Sequence, residues 1–355
     1  MRRLARTLTF AAVLFFAHEA SAQIPTLAWN PNTESNLGGY VVYYGASSNA
    51  YTSQVDVGRT NVWPLTALQP GRRYFITVRA YNTSGQFSGP AQEIVYDFPL
   101  PQKLSKLLWR HKVTGALAQW SMSGLNQIGG NSLQPGAVSD MNWSIVGSAD
   151  FNLDGEPDIL WQHTNGDISA WLMRGSQQLS GSLFVPSSTG QPDWRAVGIA
   201  DMNRDGWQDI LWRNRVTGQV SVWLMNGMTR IDGRLLTPDT VADTNWEIVG
   251  TGDFNMDGWV DLVWRHKTQG SLSVWFMNGT TMRSGTSLSP DRVADTNWKI
   301  RTVTDVNGDY KPDLVWENTS GQISTWVMNG LTLAQGVLFA PAAISDPNWE
   351  IVGAK

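Results

Sequence analysis

One pattern limits what this chain can fold into more than any other: a tryptophan-marked block recurs at Trp143, Trp194, Trp246, Trp298 and Trp349. Each copy reads Trp-x-(Ile/Ala)-(Val/Arg)-(Gly/Thr), and successive copies lie 51, 52, 52 and 51 residues apart. Two more markers keep the same step. An apolar residue stands two before Trp109, Trp161, Trp212, Trp264 and Trp316, and Trp-x-Met begins at Trp120, Trp171, Trp223, Trp275 and Trp326. A unit this short cannot bury its own apolar face, so a chain that repeats it must stack its units.

Each unit reads as β throughout. In the copy from Trp246, a first strand runs toward Asp253, Asp261–His266 is a second and Ser271–Met277 a third. Asn278-Gly279 then turns the chain into a fourth strand, Thr280–Leu288. Four short strands per unit, without helical periodicity, predict a propeller blade. Residues 107–142 supply second, third and fourth strands but no first, and Trp349–Gly353 is a first strand with nothing after it. The expectation is an all-β fold: a five-bladed β-propeller over 107–355, closed by the C-terminal strand, which removes the open end of a linear stack.

Ahead of the repeats, Arg2, Arg3 and Arg6 precede the apolar run Leu8–Ala17 and the Ala20-Ser21-Ala22 site, which predicts a cleaved signal peptide over 1–22. The apolar run is too short to span a bilayer, and no other stretch suffices, so no transmembrane segment is expected. The chain has no cysteine, which excludes disulfides and a lipid-modified cysteine and leaves bound metal as the obvious reinforcement of an exported chain. With the signal removed, 23 basic and 29 acidic residues remain, a net of −6 without basic clusters, which argues against nucleic acid as a partner.

Residues 24–98 lack the repeat but show Leu27-Ala28-Trp29, Gly39–Tyr44 and Tyr74–Ala80 as strands. With Trp29 in an early strand and the run Leu68-x-Pro70-x-x-x-Tyr74-x-x-x-Val78-x-Ala80, this stretch resembles a fibronectin type III domain. That resemblance implies a seven-stranded β-sandwich in which Tyr74 is the corner tyrosine. Residues 99–106, opening Pro99-Leu100-Pro101, read as a stiff linker.

Between first and second strands of four units lies Asp-x-Asn-x-Asp-x-x-x-Asp: Asp150/Asn152/Asp154/Asp158, Asp201/Asn203/Asp205/Asp209, Asp253/Asn255/Asp257/Asp261 and Asp305/Asn307/Asp309/Asp313. These loops hold 12 of the 29 acidic residues. A hard cation takes six to eight oxygens at about 2.3–2.6 Å. Positions 1, 3, 5 and 9 can converge only if the chain curls tightly, with the carbonyl of position 7 (Glu156, Trp207, Trp259, Lys311) added. Glycine at position 6 (Gly155, Gly206, Gly258) permits that curl. Oxygen donors without His or Cys select Ca2+ over zinc or copper. The spacing matches the first half of an EF-hand loop, but no helices flank it and no glutamate stands at position 12. In the fourth loop Tyr310 replaces the glycine, which has moved to Gly308, so calcium is expected in three loops and a weaker or differently shaped site in the fourth.

Loops of this kind, in a blade carrying the L-x-W and W-x-M-N-G markers, resemble FG-GAP/VCBS-type repeats of bacterial surface and secreted proteins, related in fold to the integrin α-subunit propeller. The resemblance covers 104–355 and implies a calcium-stabilised propeller used in adhesion or ligand binding.

A catalytic constellation is absent from the pattern. After the signal the histidines are His111, His163 and His266, in different units, where Asn214 and Asn318 stand in the others. Histidine and asparagine exchange as turn caps but not as general bases. Paired carboxylates for glycoside hydrolysis are conceivable. The recurrent acids, however, fall in the loops or in turns led by Asp140, Asp243, Asp295 and Asp346. Fifteen of 19 tryptophans are repeat markers and read as blade packing. Trp207 and Trp259 differ: their position accepts Glu and Lys elsewhere, so exposure is expected, and with it a sugar-stacking or protein-contact role, against simple packing. The leading function is secreted recognition of a glycan or surface protein. The alternatives are a polysaccharide-active enzyme and a structural piece of an extracellular assembly.

Overall fold

The computed structural model of the chain describes residues 13–15, 26–65, 67–68, 72–97 and 105–354. The rest of the predicted signal peptide, Pro70 and the linker residues 99–104 lie outside them. The described residues are all-β, and no helix among them is long and apolar enough to cross a membrane. Beyond the leader the chain forms two compact units, Ile24–Pro101 and Gln102–Lys355.

The first unit is a pair of sheets. Leu37–Gly45 lies between Ser53–Gly58 and Arg73–Asn82, and Arg73–Asn82 pairs onward to Ile94–Asp97. The facing sheet runs Val13–Phe15, Thr26–Ala28, Val62–Pro64. Within 24–98 there are six strands among the described residues, one fewer than expected, and the further strand comes from the leader. Cleavage after Ala22 would therefore leave Thr26–Ala28 paired only with Val62–Pro64. Trp29 is buried edge-on to Tyr40 at 5.4 Å, and Tyr74 stands edge-on to Tyr44 at 6.3 Å.

The second unit repeats one four-stranded antiparallel module. First strands are Trp143–Ala149, Trp194–Ala200, Trp246–Gly252, Trp298–Thr304 and Trp349–Ala354. Second strands are Asp158–His163, Asp209–Asn214, Asp261–His266, Asp313–Asn318 and, earliest in the chain, Lys106–His111. Trp349–Ala354 pairs antiparallel with Lys106–His111, so that module draws on both ends of the sequence. Lys106 thus belongs to a strand rather than to the linker. The fourth strand of the Trp246 module, Thr281–Arg292, runs four residues beyond the expected Leu288.

Packing between modules explains the markers. The second-strand tryptophans are at most 2 % exposed, and Trp264 shares an apolar cluster with Met202, Leu211 and Leu236 of the preceding module. Burying a side chain of that size contributes about 1.5–3 kcal/mol or more. The first-strand glycine has a geometric cause. A Cβ on Gly250 would sit 2.2 Å from Cγ2 of Val303 in the next module, and the register slips by a bulge at this place. The residue after each second-strand tryptophan reaches across the junction. Arg213 lies over Trp264 at 5.0 Å and Arg265 over Trp316 at 5.3 Å, while Gln162 accepts from Ala196 N–H and donates to the Trp194 carbonyl.

Candidate metal loops

Each loop curls around its first aspartate. Asp150 Oδ1 accepts the N–H of Asp154 (3.2 Å) and Oδ2 that of Gly155 (2.8 Å). Asp201 does the same for Asp205 and Gly206, Asp253 for Asp257 and Gly258, and Asp305 for Asp309 and Tyr310.

The predicted ligands at positions 3 and 5 are engaged within the loop. Asn152 Oδ1 accepts Asp154 N–H, Asn203 Oδ1 that of Asp205, Asn255 Oδ1 that of Asp257 and Asn307 Oδ1 that of Asp309, all at 2.9–3.1 Å. In the first three loops the asparagine amide also donates to the second carboxylate: Asn152 to Asp154, Asn203 to Asp205 and Asn255 to Asp257. Position 5 accepts in turn from position 7, as Asp154 from Glu156, Asp205 from Trp207, Asp257 from Trp259 and Asp309 from Lys311. Positions 1 and 9 are buried, whereas Asn152, Asp154, Asp205, Asn255, Asp257, Asn307 and Asp309 are exposed and Asn203 is half-buried.

Two residues per loop take positive φ, not one. Position 6 does so as expected, with Gly155 at 88°, Gly206 at 90° and Gly258 at 83°, and so does position 4, with Leu153, Arg204 and Met256 near 60°. In the fourth loop these roles are exchanged: Gly308 takes 82° at position 4 and Tyr310 takes 64° at position 6. The backbone is therefore not differently shaped there. Moving the glycine two residues costs little because both positions need the left-handed region and either can hold the one residue without a Cβ. Sequence reading missed position 4 because Leu, Arg and Met carry no mark of that conformation.

Position 9 has a task that its spacing did not reveal. Asp261 is fully buried; its Oδ2 accepts Phe254 N–H (2.9 Å) and its Oδ1 accepts Met277 N–H (3.0 Å) from the third strand. Asp158, Asp209 and Asp313 make the equivalent pairs. This residue staples the loop to the module. Burial pushes the carboxyl of Asp261 up to about 8, Asp209 and Asp313 to about 7, and Asp158 to about 6, with the backbone donors opposing the shift and neighbouring aspartates adding to it. Asp253 is raised to about 6 by the same leading cause.

The side chains of positions 1, 3 and 5 thus accept N–H groups of their own loop, and that of position 9 adds one from the third strand. No group of three or more His, Cys, Asp or Glu side chains among the described residues is arranged to hold a metal ion. An Asp or Asn side-chain oxygen that accepts one N–H keeps a second lone pair. The loop bonds form because a carboxylate or amide oxygen accepts the nearest available donors, and the curled backbone points its N–H groups inward. The chemistry of the donors fits a hard divalent cation: all are oxygens, and each loop gathers three carboxylates.

Trp207 and Trp259 are half-buried rather than exposed, as are Glu156 and Lys311. The Arg204 guanidinium lies 3.7 Å over the Trp259 ring and donates to the Asp257 carbonyl (3.0 Å), so one face of that indole is covered and two loops are tied together. The Trp207 and Trp259 rings also lie against the turns at Gly227 and Gly279.

The histidines are caps. His266 Nδ1 accepts Gln269 N–H, which leaves the other nitrogen to carry the proton, and Nε2 meets Asp243 Oδ2 at 3.0 Å. His111 does the same with Thr114 N–H and Asp346, and His163 accepts Asn165 N–H and lies 3.6 Å from Asp140. Asn214 Oδ1 accepts Val216 and Thr217 N–H at the matching place, and Asn318 Oδ1 accepts Ser320 N–H. The acids they meet cap their own turns, as Asp140, Asp243 and Asp346 each accept the N–H two residues on.

A profile described as FG-GAP-like repeat matches residues 150–212, 201–264 and 253–316, each match opening on a loop's first aspartate. A fibronectin type III profile matches 16–94. No curated protein sequence matches the chain. Similar solved structures include a nidogen/laminin complex, with 15% identity over 65% of this chain and 76% of that one (TM-score 0.40). A Bacteroides caccae protein of unknown function has 11% identity over 84% and 93% (TM-score 0.35). The Pseudomonas aeruginosa periplasmic gluconolactonase PpgL has 12% over 84% and 82% (TM-score 0.33). The chain carries FG-GAP-like repeats across 150–316, behind a fibronectin type III domain matched over 16–94.

Proposed function

We propose that this is an extracytoplasmic recognition protein whose modules are the five blades of a propeller, closed where Trp349–Ala354 pairs with Lys106–His111, with calcium in its loops. The observation that carries the reading is one loop conformation built four times around a buried first aspartate. Calcium would be held by side chains of positions 1, 3, 5 and 9 and the carbonyl of position 7, and would supply positive charge among the carboxylates. Because the fourth loop, with Asp305, Asn307, Asp309 and Asp313, shares the backbone of the other three, it belongs to the set. The predicted leader favours export, and the fibronectin type III domain serves as spacer or second contact. A glycan or a surface protein is the partner class. The histidines, with Nδ1 committed to backbone donors and an aspartate beside Nε2, are poor general bases, which favours binding over catalysis.

Calcium titration of chelator-treated protein by calorimetry, paired with thermal melting, tests this. Four sites and a melting temperature that rises with calcium are expected. A melting curve indifferent to both calcium and chelator would sink the metal reading, and turnover of a polysaccharide would sink the binding reading.

A further inference from the structure

The outermost strand of each module is a sheet edge, and a bare edge is a template for another strand. The fourth strands hold that place: Asn126–Ala137, Gln177–Leu183, Thr229–Thr240, Thr281–Arg292 and Thr332–Ala343. Each carries a glycine at the same repeat position: Gly130, Gly181, Gly233, Gly285 and Gly336.

Hydrogen-bond direction alternates along such a strand. Phe184 N–H is spent inward on the Ile168 carbonyl (3.2 Å), and Val185 N–H outward on the Met228 carbonyl of the next module (3.0 Å). The N–H groups of Gly181 and Leu183 therefore face outward. Gln177–Leu183 pairs with Ile168–Arg174 on its inner side and with the preceding module at Gln177. Among the described residues nothing bonds the outward side of Gly181 and Leu183.

Other fourth strands are guarded by charge. Asp232 Oδ1 accepts Gly233 N–H (2.8 Å) and its Oδ2 accepts from Arg234 Nε (2.6 Å), which closes that edge with its own side chains. Arg283 stands in Thr281–Arg292 at the repeat position of Leu179. Charged side chains on an edge oppose strand addition. Asn126–Ala137 and Thr332–Ala343 carry no charge, but Ser132 and Ala334 each replace one of the leucines that Gln177–Leu183 holds at 179 and 183.

Residues 179–183 read Leu-Ser-Gly-Ser-Leu, the same in both directions, and no charged residue lies between Gln177 and Gln191. Leu179 and Leu183 are 48 % and 49 % exposed. A two-fold axis at Gly181 sets this strand antiparallel to its own copy, with Leu179 opposite Leu183 and Ser180 opposite Ser182, each twice over.

We propose that the Gln177–Leu183 edge pairs with the same edge of a second copy of this chain, forming a two-fold dimer whose sheet continues from one copy into the other. A second copy is the occupant because a strand that reads alike in both directions meets itself in register, as a two-fold interface requires. The contact is little more than one strand from each copy, so the dimer is weak, with a dissociation constant on the order of 10–100 µM.

Sedimentation equilibrium of the full chain, loaded from about 1 to about 300 µM, tests this. A monomer–dimer equilibrium is expected. Ser180→Asp introduces the carboxylate that guards the neighbouring strand at Asp232, and Leu183→Lys sets like charges near each other across the axis. Each weakens the dimer at least about tenfold. Both positions are exposed, so melting temperatures near wild type are expected for the two variants. Leu235→Lys, on the guarded strand, leaves the dimer unchanged. A monomer at every loading overturns the proposal. So does a dimer that survives both Ser180→Asp and Leu183→Lys, or one that Leu235→Lys breaks as readily.

Discussion

Replacing Asp261 by alanine separates the two tasks that meet at position 9. The side chain is fully buried and accepts two backbone donors, Phe254 N–H at 2.9 Å and Met277 N–H at 3.0 Å. Truncation leaves both donors buried and unpaired, at about 1–3 kcal/mol each, so about 2–6 kcal/mol in total. In a unit of this size each kcal/mol moves the melting temperature by about 2–4 °C, which places the loss on the order of 10 °C. The loss must appear in chelator as well as in calcium, because the staple acts without metal. Asp257→Asn is the contrasting change. Its side chain is exposed, and its Oδ1 accepts Trp259 N–H, a bond that asparagine can keep, while only the exposed Asn255 amide loses its acceptor. Its effect should be under about 1 kcal/mol in chelator and larger in calcium-loaded protein. Differential scanning calorimetry of both variants in each condition decides the matter. If Asp261→Ala melts like wild type in chelator, the staple reasoning is wrong and the residue acts through metal alone.

The remaining predictions concern charge, stacking and caps. In calcium-free protein the folded pKa values of Asp261 (about 8), Asp209 and Asp313 (about 7) and Asp158 and Asp253 (about 6) stand above the ordinary 3.8. The folded state therefore binds more protons than the unfolded one between those limits, so stability falls as pH rises through 6 to 8. Melting temperatures measured in chelator should drop from pH 5.5 to 8.5, and a rise would contradict the burial of these groups. Arg204→Ala removes the stack on Trp259 and the bond to the Asp257 carbonyl. It should cost about 1–3 kcal/mol and red-shift tryptophan emission, and unchanged emission would count against the covered indole face. His266→Asn should cost under about 1 kcal/mol, because Asn214 caps the equivalent turn of the preceding module; His266→Leu should cost more. Equal losses in denaturant titrations would remove the distinction between cap and filler.

What was legible in the sequence divides along a physical line. Strand positions were readable because alternation, turn residues and the tryptophan step act within one module: Asp261–His266 falls where the sequence places it. The loops were readable as far as residue type decides chemistry, since aspartate at fixed spacing announces oxygen donors. Where those oxygens turn was not readable: Asn203, Asn255 and Asn307 accept the N–H two residues on, a local bond that spacing alone does not distinguish from ligation. Conformation that residue type does not encode was hidden too, as at Leu153, Arg204 and Met256, which take positive φ without glycine. In the sandwich, the count of strands failed because the further one lies in Val13–Phe15, inside a stretch whose composition signals export.

Contacts between modules were the least legible, and the position after each second-strand tryptophan shows why. It holds Arg110, Gln162, Arg213, Arg265 and Glu317, a set with no common charge, so it looks like tolerant surface. In the structure every one is buried. Arg213 donates to the Val241 carbonyl, Gln162 bonds Trp194 and Ala196 of the next module, and Glu317 accepts Ile351 N–H while pairing with Arg301 at 2.7 Å. Backbone offers both donors and acceptors at a module edge, so a cation, an amide and a carboxylate can each bind there, provided each has room to reach. Selection at this position acts on reach and burial rather than on charge. A repeat scan that scores residue similarity discards that signal, whereas long polar side chains at an otherwise apolar, strictly periodic place preserve it.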